Sequence, residues 1–364
     1  METAILWLKA MVMGIPSLFT NPLTYLLLII IALQWKRQVD IERKLFSARL
    51  HTVAEGLLQS VFYGVLGGLL ASCLFIGLGV VFSLEPFVYL WVIALILMLF
   101  QIRYLCFAYS GAVLGLLVLL SRWFPQVGQI TWLENFWTSL QEIYLPSLFI
   151  LVAGLHLIEA LLVYLTGGRR ATPVFIQSKR GRLVGGFHLQ QFWFVPLFLL
   201  MEGGYSSLPP LFSGWPLFAP EPASPFTLML LPAVLGYTEQ AVSFSPEEKA
   251  RQSAKGLLVY SLTLLILTLL AVYLSPHLII AVLLCSFLGH EALFWFSAWQ
   301  EKRRVPIYIH PREGLKILAV IPRSPAAKMG LQPGEVIVKV NGHRVNQRNE
   351  LYEALVTNQT FCKL

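Results

Sequence analysis

Long apolar runs recur from the N-terminus to about residue 300 of this 364-residue chain. An α-helix of about 20 apolar residues crosses a hydrocarbon core about 30 Å thick. Charged residues make up only 13% of the chain, against about 25% in soluble domains. We therefore predict a polytopic α-helical membrane bundle over residues 1–300, with about eight transmembrane helices. The clearest predicted spans are residues 20–34, 56–83, 86–102, 104–121, 145–166, 191–204, 255–274 and 277–297.

Two further apolar segments are less regular. Residues 3–16 are predicted to form a short interfacial helix before Pro22, and residues 225–237, interrupted by Pro232, a half-span. Residues 206–225 are rich in proline and aromatic side chains and contain no lysine or arginine. This composition favours an extracytoplasmic loop with Trp215 at the level of the lipid headgroups.

Basic residues predict the orientation of the bundle, because short cytoplasmic loops retain positive charge. The net charge of +8 comes largely from such loops and needs no nucleic acid to explain it. Three clusters of basic residues lie on one side of the membrane only if an even number of spans separates each from the next. Between the second and third clusters, this requires residues 225–237 to be a crossing or to form a re-entrant pair with 191–204. In both cases the C-terminal tail is cytoplasmic. The clusters are Lys36, Arg37, Arg43, Lys44 and Arg49; Arg169, Arg170, Lys179, Arg180 and Arg182; and Lys302, Arg303 and Arg304.

Two of the predicted cytoplasmic loops carry local structure signals. Residues 174–186 alternate around a Lys-Arg-Gly turn, which predicts a small β-hairpin. Ser245 and Pro246, followed by two glutamates, predict the start of the helix that becomes the next span.

The last sixty or so residues have the pattern of a small α/β domain. From Gly314 the chain reads GLKILAVIPRSPAAKMGLQPGEVIVKVNG, which predicts a strand, a short helix capped by Ser324, a glycine turn and a second strand. This order resembles a PDZ domain, a partly open β-barrel that binds an extended peptide as an added strand. Residues 301–364 are assigned to it. Because such domains normally continue through further strands, we expect this one to be truncated at its C-terminus.

The resemblance implies a peptide groove between a strand and a facing helix. The strand side would be Ile307, Tyr308 and Ile309, and the helix, capped by Asn349, would contribute Leu351 and Leu355. The sequence before this strand does not match the usual carboxylate-binding loop, and Pro306 lacks an amide proton. This argues against recognition of a free C-terminus and leaves an internal segment as the other candidate ligand. Core packing is the alternative for the two leucines, and it is the more common fate of leucines on a helix face.

Ionisable residues within apolar spans are costly in hydrocarbon and are therefore candidates for function. We expect them to form polar contacts between helices, although two His/Glu pairs also have the donor types of a metal site. No metal or other cofactor is predicted. The four cysteines form no C-x-x-C pair, which argues against a disulfide framework or a zinc knuckle. The candidates for intramembrane polar contacts are His156, Glu159, Glu202, His290 and Glu291.

An intramembrane metalloprotease would need a His-Glu-x-x-His motif. The best match begins at His290 and Glu291, but Phe294 occupies the position of the second histidine. No catalytic residues are therefore assigned. A divergent PDZ-containing intramembrane protease or protease regulator remains the alternative, and transport is a third, weaker one.

The arrangement as a whole resembles the MinJ family of division-site determinants of Gram-positive rods. The resemblance covers nearly the whole chain. It implies a non-enzymatic adaptor of the bacterial cell membrane, at the septum and poles, with a cytoplasmic PDZ domain. Its implied partners are DivIVA-like and MinD-like proteins, the latter linked to the FtsZ inhibitor MinC, and other divisome proteins; homo-oligomerisation stays open. The motifs that carry the resemblance are SKRGRLVGGFHLQ, SPEEKARQSAK, LGHEALF, VNG and ELYEAL.

Overall fold

A computed structural model describes residues 2–126, 131–177, 181–203, 208–219, 226–356 and 362–363. The first part of the membrane domain is helical, with one very short strand. Its elements are α1 (Glu2–Thr20), α2 (Pro22–Phe46), α3 (Val53–Leu78), β1 (Val81–Phe82), α4 (Glu85–Met98), a 3-10 turn (Ile102–Leu105), α5 (Phe107–Trp123), α6 (Thr131–Glu142) and α7 (Leu145–Thr166).

The second part contains three strands followed by two long helical segments. Its elements are β2 (Thr172–Gln177), β3 (Leu183–Glu202), β4 (Phe226–Ala241), α8 (Pro246–Tyr273), a 3-10 turn (Pro276–Leu278), α9 (Ile279–Leu284), a π-helical turn (Cys285–Gly289) and α10 (His290–Arg303).

Four helical segments in the described part of the chain are long and apolar enough to cross a membrane: α3, α7, α8 and the continuous stretch Pro276–Arg303. The pair α1 and α2, bent by 66°, makes a fifth candidate, while α4 and α5 are shorter apolar helices. The polytopic helical fold is thus confirmed, and the number of crossings stays a prediction. Helix α7 lies at the centre, since 72% of its most apolar stretch is buried, against 11% for Pro276–Arg303.

The prediction of helical spans at residues 191–204 and 225–237 is wrong. Their described residues lie in β3 and β4, apart from Gly203 just after β3, and the two strands pair antiparallel from Phe187 opposite Ala241 to Glu202 opposite Phe226. Inside a bilayer a backbone must satisfy its hydrogen bonds within the protein, and paired strands enclosed by helices do so as well as a helix does. The two prolines, Pro196 and Pro232, lie opposite each other in this hairpin.

Helix α3 covers the other edge of β3. The strand pairs with β2 at its start and with β1 at its end, which leaves its middle without a strand partner on that edge. There the backbone N–H of Phe198 donates to Ser72 Oγ at 2.8 Å, and Pro196, two residues earlier on the same edge, has no N–H to satisfy. A Cβ atom on Gly64 or Gly68 would lie 2.0 Å or 2.2 Å from a backbone oxygen of β3. Glycine is therefore required for this contact.

Trp215 is not at a lipid-facing position, contrary to the prediction. It is 5% exposed, and its ring packs edge-on against Trp7 and Phe226. Its indole Nε1 donates to the carbonyl oxygen of Ile76 at the end of α3. This loop residue therefore closes the end of the bundle, because its polar atom finds a partner inside the protein.

Two local predictions are confirmed. Strands β2 and β3 form the expected hairpin, with its turn residues 178–180 outside the described part of the chain. Ser245 caps α8 in a capping box with Glu248, whose carboxylate accepts from the Ser245 N–H. Here a residue pattern of four positions specifies the geometry without help from the rest of the fold.

The C-terminal region is the predicted small strand-containing domain. Ser324 caps the short helix, and Gly330, Gly334 and Asn341 adopt the left-handed backbone conformation that the predicted turns require. Its last helix begins at Arg348, so the cap predicted at Asn349 is wrong. The strands form two short antiparallel pairs and no closed barrel among the described residues. The elements are β5 (Leu315–Lys316), α11 (Pro325–Lys328), β6 (Val336–Ile337), β7 (Lys339–Val340), β8 (His343–Arg344) and α12 (Arg348–Val356), with β5 paired to β6 and β7 to β8.

Candidate functional site

The predicted peptide groove has one side on the segment after α10 and the other on α12. Ile309 is 38% and Leu355 37% exposed, so both side chains are available to a ligand. Leu351 instead packs against the small core of Val340 and Ala354. Ile309 and Leu355 therefore remain candidates for ligand contact, whereas the contacts of Leu351 favour the core-packing alternative.

The strand side of this groove is held by the membrane domain. The backbone N–H of Gly185 donates to the Tyr308 carbonyl at 3.0 Å, and the N–H of Ile307 donates to the Val242 carbonyl at 2.9 Å. The Tyr308 ring lies 5.5 Å from that of Phe187, and this burial raises the pKa of its hydroxyl. A third backbone group, the Ile307 carbonyl, accepts from Lys316 Nζ at 2.7 Å. Several of the groups that would pair with an added peptide strand are thus already occupied.

A buried lysine fixes the helix that leads into this segment. Lys249, 1% exposed, lies 3.4 Å from a Glu301 carboxylate oxygen and 3.9 Å from one of Glu239. Its Nζ also donates to Ser297 Oγ at 2.8 Å. Together Glu239, Lys249, Ser297 and Glu301 form a junction cluster that joins the end of β4, the start of α8 and the end of α10.

The intramembrane polar residues meet at one place. Cys106 Sγ lies 3.1 Å from His156 Nε2 and 3.6 Å from His290 Nε2, and the two imidazole rings are 5.3 Å apart. We call Cys106, His156 and His290 the Cys–His cluster. It brings together the residue before α5, the middle of α7 and the first residue of α10.

The predicted acidic residues divide between this cluster and other places. Glu291 pairs with Arg103 at 2.7 Å and accepts from the Tyr109 hydroxyl at 3.1 Å. Glu159 Oε2 lies 4.0 Å from His156 Nε2. Glu202 is exposed at the far end of β3 and does not join the cluster.

Three residues of this region escaped the sequence analysis as functional candidates: Arg103, Cys106 and Tyr109. Arg103 carried a signal, because a charged residue between two apolar runs is costly without a partner. Cys106 carried none that could be used, because its two neighbours lie 50 and 184 residues away in the sequence.

The position of the missing metalloprotease ligand has another role. The Phe294 ring lies under the guanidinium of Arg103, 4.3 Å from its Cζ atom. A phenyl ring cannot ligate a metal, and here it supports the cation that pairs with Glu291.

Comparison with known proteins shows which class of protein this chain belongs to. Residues 316–359 match the family model of the PDZ domain, so this chain is a multi-helix membrane protein with a C-terminal PDZ domain. It is 27% identical over 348 residues to "Cell division topological determinant MinJ" of Bacillus subtilis (strain 168), covering 95% of this chain and 85% of that protein. It is 31% identical over 240 residues to "Probable cell division topological determinant MinJ" of Lacticaseibacillus paracasei, covering 62% of this chain and 59% of that protein. No solved structure matches the chain significantly.

These similarities confirm the resemblance to MinJ-like division determinants that the sequence motifs predict. The names of these relatives describe topological determinants of cell division.

Proposed function

We propose that this chain is a non-enzymatic membrane adaptor in bacterial division-site selection. It would link a DivIVA-type scaffold at the poles and septum to MinD and, through MinD, to the FtsZ inhibitor MinC. The observation that carries this proposal is the similarity to a MinJ protein over 95% of the chain. The attached PDZ domain supplies a module for protein recognition.

The fold supports a cytoplasmic PDZ domain. Among the segments long and apolar enough to cross a membrane, α3 and α7 separate the first two basic clusters, and α8 and the Pro276–Arg303 stretch separate the second from the third. The shorter apolar helices α4 and α5 leave the first number even if they cross as a pair. The hairpin of β3 and β4 leaves from and returns to the same end, because its strands are antiparallel neighbours. Both numbers of segments are even, so the positive-inside rule gives all three clusters, and the domain after them, the same side.

Membrane attachment also explains why weak contacts suffice. An adaptor held in a bilayer confines its partners to a thin layer, which raises their effective concentration without tight pairwise affinity. A small PDZ groove with two exposed apolar side chains is consistent with such weak binding.

Partner binding can be tested at the exposed side of the predicted groove. A photo-crosslinking residue at Leu355 should capture DivIVA-like or MinD-like proteins in dividing cells, because this side chain is 37% exposed beside the predicted groove. The matched control is the same residue at the exposed Lys328 of α11.

Deletion of residues 305–364 should weaken the co-purification of DivIVA-like and MinD-like proteins with the chain while the helices still insert. Full partner binding by the deletion variant would refute the role of the PDZ domain and would move the binding surface to the loops at 174–186 or 239–255. Capture of a single protease and its substrate, with neither division protein, would favour the alternative of a protease regulator.

A further inference from the structure

We propose that the Cys–His cluster binds one Zn²⁺ ion within the membrane domain, with Cys106, His156 and His290 as its protein ligands. The ion would hold the start of α5, the middle of α7 and the start of α10 together. This inference is independent of the proposed partners, because it rests only on side chains inside the bundle.

Hydrogen bonding fixes which nitrogen of His156 carries a proton. His156 Nδ1 lies 2.7 Å from the carbonyl oxygen of Val152, which can only accept, so Nδ1 is the donor. The Nε2 atom of the neutral ring is then an unprotonated acceptor, and it faces Cys106 Sγ at 3.1 Å.

Hydrogen bonding also fixes which ring nitrogen of His290 carries a proton. The Tyr109 hydroxyl donates to the Glu291 carboxylate, which has no proton to give, and therefore accepts from His290 Nδ1 at 3.1 Å. The Nε2 atom of His290 is thus a second unprotonated acceptor, 3.6 Å from Cys106 Sγ. One thiol proton can satisfy only one of these two nitrogens. A metal ion bound to the thiolate satisfies both.

The spacing of the donor atoms suits zinc. Zn–S bonds of about 2.3 Å and Zn–N bonds of about 2.0–2.1 Å place sulfur and nitrogen roughly 3.5 Å apart in a tetrahedral site. The two observed separations from Cys106 Sγ are 3.1 Å and 3.6 Å, and all three ligand atoms lie within 4.8 Å of one another. Thiolate and imidazole together are a ligand set typical of zinc.

The outer contacts of the histidines are those of metal ligands. A metal-bound histidine usually donates its second ring N–H to a carbonyl, a carboxylate or a similar acceptor, which fixes the ring. Val152 and Tyr109 provide such acceptors here. The π-helical turn Cys285–Gly289 immediately precedes His290, and its Ser286 carbonyl is satisfied by the Tyr260 hydroxyl at 3.0 Å. Such turns are frequent at functional sites.

The charges around the Cys–His cluster also favour a divalent cation. The Glu159 carboxylate is 12% exposed within the central helix, and Arg103, the nearby cation, is paired with Glu291 instead. A Zn²⁺ ion, the Cys106 thiolate and the Glu159 carboxylate, which lies 4.0 Å from His156 Nε2, together carry no net charge, and this removes the cost of an uncompensated charge in the bilayer.

The test is the zinc content of the full chain, purified in detergent under reducing conditions, loaded with Zn²⁺ and freed of excess by gel filtration. We expect about one zinc per chain, as a single site requires. Cys106→Ala and His290→Ala should each lower zinc content at least tenfold, whereas the controls Cys73→Ala and His277→Ala, both at exposed positions, should not change it. Tyr109→Phe should weaken zinc affinity roughly 10- to 100-fold, because it removes an outer contact of His290.

A second measurement covers the case in which these variants fail to fold. Co²⁺ bound to the unmodified chain should show thiolate-to-cobalt charge-transfer absorption, which reports a sulfur ligand directly. Failure of the unmodified chain to retain zinc would overturn the proposal. So would equal zinc content in the cluster variants and the controls, or a cobalt spectrum without sulfur coordination.

Discussion

At the scale of single residues, the interior of the bundle depends on side chains that are small or absent. Gly64, Gly68 and Ser72 recur every four residues and form one face of α3 along the edge of β3. This face lets a helix approach a strand backbone closely enough to satisfy it, which a larger side chain would prevent.

Gly68→Ala should therefore destabilise the membrane domain by about 1–3 kcal/mol, because the new Cβ would lie 2.2 Å from the Pro196 carbonyl oxygen. Thermal unfolding in detergent measures the effect. Gly77→Ala in the same helix is the control, since a Cβ there has no neighbour within 4 Å. A Gly68→Ala variant as stable as this control would show that α3 does not cover the strand edge.

Residue patterns also show what the sequence could predict. The cap at Ser245 and the turns at Gly330 and Asn341 are determined by neighbours within a few positions, and they were predicted correctly. The Cys–His cluster depends on three distant helical segments meeting, and no local pattern around Cys106 contains that information.

At the scale of elements, the hairpin of β3 and β4 is the part that sequence reasoning missed. An apolar run of this length has no clear period, so it fits a buried strand and a buried helix equally well. Strand β3 (Leu183–Glu202) is held by contacts that are distant in the sequence, namely its partner β4 and the glycine face of α3. The helices α3, α7 and α8 were predicted well, because each is long and apolar enough by itself to cross a membrane.

The junction cluster should be the most sensitive contact between elements. Lys249→Met would leave the partly buried carboxylates of Glu239 and Glu301 without their cation, which we expect to cost about 3 kcal/mol of unfolding free energy. Lys255→Met, at an exposed position of the same helix, should change stability by no more than about 0.5 kcal/mol. Chemical denaturation of the two purified variants compares them, and equal midpoints would contradict a structural role for the lysine.

At the scale of the whole molecule, the PDZ domain is not simply suspended from the last helix. Tyr308 attaches the first segment of the domain to the hairpin of the membrane domain through Gly185 and Phe187.

Tyr308→Ala should weaken this attachment and speed tryptic cleavage of the exposed connection near Arg304 at least about 5-fold, as a loss of about 1 kcal/mol implies. Tyr352→Ala, which removes a ring that is 54% exposed on α12, should leave the cleavage rate unchanged. Equal cleavage rates in both variants would mean that the domain is not held by Tyr308.

An adaptor for the division machinery must hold its PDZ domain on the cytoplasmic side of the membrane. Protease accessibility of a C-terminal epitope tag tests this directly, in intact spheroplasts and in inverted membrane vesicles. We predict that the tag is protected in spheroplasts and removed in inverted vesicles, since three basic clusters assign this side to the domain. Removal of the tag from intact spheroplasts would contradict the proposed adaptor.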